Sequence, residues 1–96
     1  MDYETKFMGI KKSCRLRGVN LTPKKALIAS HLAMESDFVH AEDLYFKIRA
    51  THAGFSMTTV YYTLRWLHYN GIAERIVHQG QMNQYRLNIE GMILRH

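Results

Sequence analysis

The groups able to do covalent or metal chemistry are few in this sequence and poorly spaced for it. Six histidines, at 31, 40, 52, 68, 78 and 96, stand singly, without the i,i+4 pair or other ligand set that would bring imidazoles to one metal. Cys14 is the one cysteine, which excludes an internal disulfide and a CxxC zinc site. No nucleophile is accompanied by an orienting base, no carboxylates pair for acid–base work, and no phosphate loop is present, so no enzyme and no metal or other cofactor is expected. The chemistry these residues do suit is the holding of a polyanion. From Thr5 to Met34 the chain carries Lys6, Lys11, Lys12, Arg15, Arg17, Lys24 and Lys25 and no acid, within a net charge of +5 and a pI near 9.6. A solvated helix face can have the same composition, so the run gains meaning only beside an element that reads a partner. Thr58, Thr59, Tyr61 and Tyr62 offer such an element. Small hydroxyls at a helix start can meet bases or phosphates, and a tyrosine presents a ring to a thymine methyl and a hydroxyl to an acceptor.

The elements that must position these groups follow from periodicity. Tyr3, Phe7, Ile10 and Cys14 recur at helical spacing and predict a helix over Tyr3 to Arg17, stopped by Gly18, with the Cys14 thiol packed inward. Thr22 as cap and Pro23 at the first helical position start a second helix, running to about Met34 and burying Ala26 or Leu27, Ser30 and Met34. A third covers about Ala41 to Ala50 with Leu44, Tyr45 and Ile48 inward, and Glu42 and Asp43 at its positive end. Ser56 caps a fourth, Met57 to Tyr69, whose core line is Val60, Leu64 and Leu67; Asn70-Gly71 ends it. The period then falls to two. Ile72 to His78 reads as a strand, Gln79-Gly80-Gln81 as a turn, and Asn83 to Leu87 as the returning strand with Tyr85 and Leu87 on one side. Helices followed by one hairpin give a mainly α fold with a small antiparallel β-hairpin, a winged helix-turn-helix, over residues 1–88. Residues 89–96 form a C-terminal tail outside the pattern. No apolar run approaches the roughly 20 residues of a membrane helix, and the amino end lacks the regions of a signal peptide, so a cytoplasmic location is expected.

Three strings carry a resemblance: Leu21-Thr22-Pro23-Lys24-Lys25, Ala41-Glu42-Asp43-Leu44-Tyr45 and Thr59-Val60-Tyr61-Tyr62-Thr63-Leu64. They resemble LTPxR, SAEDLY and ATVYRTL of the ferric uptake regulator family of metal-dependent repressors. Asn70-Gly71-Ile72-Ala73 and Gln84-Tyr85-Arg86-Leu87 extend the likeness in family order to Leu87. The resemblance implies a regulator of transcription, expected to be a repressor, that binds double-stranded DNA through this half. It implies that Tyr61 reaches base edges and that residues around Thr59 approach the groove, and base contacts are also expected from Thr58 and Tyr62. Phosphate contacts are expected from Lys11, Lys12, Arg15, Lys24, Lys25 and Arg65.

The departures are as informative as the matches. Tyr62 stands where the family has an arginine, and Lys25 where it has the arginine of LTPxR, which keeps charge but not the bidentate fork. The family often places a metal-sensing histidine just before the third helix; alignment puts Phe38 there and His40 at the capping serine, a surface histidine at a helix start. The second domain, with its metal sites for iron, zinc or manganese and its dimer interface, has no counterpart in 89–96. Any self-association is expected to be weak, through Trp66, Tyr69, Met92 and Ile93. The alternative is a winged helix used for protein contacts with another regulator, supported by the Tyr62, Trp66 and Tyr69 stripe.

Overall fold

In the computed structural model, which describes residues 2–77 and 83–93 (the last by its backbone alone), three of the four long helices start on a capping side chain. Asp2 Oδ1 accepts the Thr5 amide at 2.8 Å and opens α1 (Tyr3–Arg17). That helix closes on Gly18, whose left-handed φ of 69° turns its own amide to Arg15 and the Val19 amide to the Cys14 carbonyl. Thr22 Oγ1 accepts the Lys25 amide and opens α2 (Pro23–Met34); Ser56 Oγ accepts the Thr59 amide and opens α4 (Met57–Tyr69). Between them lies α3 (Ala41–Thr51), whose cap position is His40, although the imidazole makes no capping bond.

α2 is the central helix. It packs against α1, α3, α4 and the sheet, so it buries Ile28, Ala29, Ser30, Leu32 and Ala33 rather than one narrow stripe. The expectation for its face is corrected accordingly: Ala26 and Leu27 are half-buried, and Met34, at the last turn, is exposed. Leu44, Ile48, Val60, Leu64 and Leu67 close the core from α3 and α4, as their spacing predicts.

The wing is β2 (Ala73–Ile76) paired antiparallel with β3 (Gln84–Leu87), shorter than the alternation of Ile72 to His78 suggests. The expected turn at Gln79-Gly80-Gln81 and the residues Leu94 to His96 lie outside the described residues. A third strand was not legible: β1 (Val39–His40) pairs with Tyr85 and Gln84, giving the order β1-β3-β2. Tyr85 and Leu87 both face the core, and Tyr85 is its largest fully buried side chain. The architecture is mainly α with a small antiparallel sheet, a winged helix-turn-helix built on α3 and α4. Among the described residues no helix is long and apolar enough to cross a membrane.

The tail is the main correction. Residues 89–93 do not stand apart from the pattern: Asn88 Oδ1 accepts the Gly91 amide at 3.1 Å and starts α5 (Ile89–Ile93), which lies on α1. Met92 is buried there with its Sδ and Cε against Gly9. Met92 therefore belongs to this chain's own core and is not free to pair with another copy. The side chain of Ile93 and the whole of Leu94 lie outside the described residues.

Candidate nucleic-acid interface

With Val60, Thr63, Leu64 and Leu67 turned inward, the 3.6-residue period leaves one outward ridge on α4. It comprises Thr58, Tyr62, Arg65 and Tyr69, at spacings of four, three and four. Tyr62 is 68% exposed and Tyr69 88%, large aromatic surface for a helix with no described covering element on that side. Of the four expected base-contacting residues, Thr58 and Tyr62 are on the ridge. Thr59 and Tyr61 flank it on opposite sides. The Thr59 hydroxyl is 2.9 Å from Ser56 Oγ, so it is engaged in the cap, and Tyr61 is half-buried against the core with the Arg65 guanidinium 5.9 Å from its ring centroid. Tyr69, expected at a self-association surface, shares the ridge with Tyr62.

Trp66 is half-buried, and Lys25 of α2 places its Nζ 4.1 Å from the indole centroid. A cation over a tryptophan face contributes roughly 0.5–1 kcal/mol where it is exposed. This contact brings the amino end of α2, with exposed Lys24, beside α4. It also covers one face of the ring expected to anchor a partner. Lys11, Lys12 and Arg15 are exposed on α1, which packs on α2 and α5; Lys11 leans over Phe7 at 5.3 Å. These three are thus separated from the α4 ridge by α2.

Arg75 escapes a sequence reading, and so does the placement of Arg17, a member of the basic run. Arg75 of β2 joins Tyr62, Arg65, Trp66, His68 and Tyr69 in lining a groove between α4 and the wing, with no carboxylate in its walls. Arg17 lies against the turn after α4, its Nη2 2.7 Å from where a Cβ on Gly71 would stand. The signal that could have found Arg75 is the period of two after Gly71, which puts it on the face of the strand opposite Glu74.

The acids gather elsewhere. Glu35 takes Lys47 at 2.9 Å; Arg86 donates from Nε to Glu74 at 2.6 Å and from Nη1 to Asp37 at 3.4 Å, and its guanidinium lies 4.3 Å over the Phe38 ring. The hydrogen bond to Glu74 raises the Arg86 pKa further. Position 38, where the family resemblance implies a metal-binding histidine, therefore has a phenyl ring with a fixed cation on its face. The nearby carboxylates of Asp37 and Glu74 are already paired with that cation. These residues do not fit a metal ion, and among the described residues no three metal-binding side chains converge. Elsewhere, burial and the neighbouring His52 imidazole, 6.3 Å away between centroids, hold His31 below its ordinary pKa. Burial pushes the Cys14 thiol up despite Lys25 and Arg17, which suits the packed thiol expected from its place on α1.

Residues 16–96 match the Ferric uptake regulator family. No curated protein matches the sequence. Among solved structures, a zinc uptake regulator complexed with zinc and DNA superposes with a TM-score of 0.78 at 23% identity, over 91% of this chain and 56% of that one. The ferric uptake regulator of Helicobacter pylori superposes with a TM-score of 0.71 at 16% identity, over 91% of this chain and 58% of its own. A manganese uptake regulator gives 0.71 at 26% identity, over 80% and 57%. The chain thus spans less than two thirds of the length of each of these proteins.

Proposed function

Because the chain belongs to the ferric uptake regulator family, we propose that it binds double-stranded DNA sequence-specifically through α4 and regulates transcription as a repressor. The observation that carries this reading is the outward ridge of α4. It combines a hydroxyl (Thr58), two exposed tyrosines and a guanidinium on a capped helix that no described element covers. A helix so presented is what enters a major groove, where hydroxyl and ring can meet base edges and a guanidinium can take a guanine or a phosphate. Lys24 and Lys25 at the start of α2 would hold the flanking backbone, and Lys11, Lys12 and Arg15 would add to the field that draws the duplex in. The Phe38–Arg86 arrangement supports binding that needs no metal ion. One winged helix covers little DNA, so pairing would be weak and assisted by two half-sites.

Titration of a labelled duplex against salt tests the central claim. If about four to six phosphates are neutralised, log affinity falls against log salt with a slope of about −4 to −5. Tyr62→Ala should lose about 1–3 kcal/mol on a selected site and little on random duplex. Affinity that does not change with salt would overturn the reading. The same exposed ridge favours a second one, a docking surface for a protein partner, for which the signature is retention of that partner at high salt without DNA.

A further inference from the structure

We propose that the groove between α4 and β2 seats one sugar–phosphate strand of the duplex, with Arg65 and Arg75 as phosphate ligands on its two walls. This rests on the DNA-binding reading above and extends it to the wing. Arg75 stands opposite Tyr85 in the β2–β3 register, and directly opposed residues share a face of the sheet. Tyr85 faces the core, so Arg75 leaves the sheet on the helix side, beyond the core rim, and lines the groove with Tyr69. Its sequence neighbour Glu74 takes the other face, where Arg86 binds it. The nearest acid in sequence is therefore on the opposite face of the strand and paired with Arg86, although it shares with Arg75 a second hollow at the β2 edge. Among the described residues the ion pairs go to Lys47 and Arg86, and none to Arg65 or Arg75.

The walls are also held at a set distance. His68 Nδ1 lies 3.3 Å from the Ala73 carbonyl, the Ile72 amide donates to the Leu67 carbonyl at 2.9 Å, and the Asn88 side chain donates to the Gly71 carbonyl at 3.1 Å. Guanidiniums on an acid-free groove suit the successive phosphodiesters of a strand, whose oxygens accept a forked pair of N–H donors. The groove is open along its outer side, which suits a polymer passing through rather than an enclosed small molecule. The aromatic surface of Tyr62 and Tyr69 then meets the sugars and base edges between the two cations.

The experiment compares the full chain with Arg75→Gln, Arg75→Lys and Arg86→Gln in salt titrations on a selected and a random duplex. Arg75→Gln should make the slope shallower by about 1 and weaken both duplexes by the same factor, because a phosphate carries no sequence. Arg75→Lys, which keeps the charge, should restore the slope, and Arg86→Gln, which frees Glu74 on the other face, should change it less than Arg75→Gln does. Replacing single linkages of the duplex by neutral methylphosphonates should reveal one position that costs the parent protein affinity and costs Arg75→Gln nothing. A steep slope in the parent that Arg75→Gln does not change would overturn the groove while leaving the DNA reading intact. A loss confined to the selected duplex would make Arg75 a base reader and overturn it too. A parent protein that binds duplex without salt dependence, or not at all, would overturn the reading beneath it.

Discussion

His31 lies at the boundary between core and solvent on α2, with burial and the His52 imidazole both disfavouring its charged form and Glu35 only partly opposing them. Its folded pKa is below the ordinary 6.5, so the unfolded chain takes up a proton before the folded one does. The stability this contributes is complete above about pH 6.5. It declines as pH falls through that value and levels off once the folded imidazole protonates as well. Melting temperature followed from about pH 8 down to about pH 5 should fall, and His31→Gln should remove part of that fall. An identical pH profile in the variant would show that His31 does not carry it. The residue types on the outer side of α4 were legible, but their facing was not. The Val60-Tyr61-Tyr62 string singles out one turn of helix, yet which tyrosine points outward depends on how α4 leans on its neighbours. That packing half-buries Tyr61 and exposes Tyr62.

Among the elements, the four long helices and the returning strand were readable because each carries its own punctuation: Thr22 before Pro23, Ser56 before Met57, Gly18 after Arg17. β1 carries none, and the Asn88 before α5 is followed by no helical period. A two-residue strand has no period, and β1 exists because β3 offers it a free edge at Tyr85 and Gln84. α5, at five residues, is shorter than a helix that could persist alone, and it is held by the Asn88 cap and the burial of Met92 on α1. Met92→Ala should therefore cost about 2–5 kcal/mol of stability, the range for truncating a buried methionine. Sedimentation of the variant should remain that of the parent. A loss of self-association without a loss of stability would instead place Met92 at an interface between copies. The turn after α4 depends on Gly71 for its φ of 73°, and the mobile end of the exposed Arg17 side chain lies over the open space beside it.

At the scale of the whole molecule, charge is segregated. Cations without acids run from Thr5 to Met34, no acid interrupts Leu44 to Ala73, and Glu35, Asp37 and Glu74 are matched to Lys47 and Arg86. Arg86 joins the approach to β1, through Asp37 and Phe38, to both strands of the wing, so the part of the fold where the family resemblance implies a metal has an internal cation instead. DNA affinity should accordingly be the same after exhaustive chelation and after addition of zinc or manganese. Release from DNA by a chelator, reversed by one metal, would refute this. The junction between α4 and the wing has one more consequence. The Ile72 amide is bonded to α4, the Asn88 amide to the carbonyl of Ile72, and the side chain of Asn88 to Gly71, so neither piece can lift away without breaking bonds to the other. Recognition helix and hairpin should open to solvent as one cooperative unit. In native-state deuterium exchange, the amides of Ile72 and Asn88 should show protection close to that of Leu64 in the core, at the level of global unfolding. Markedly faster exchange at Ile72 would reveal a wing that breathes by itself.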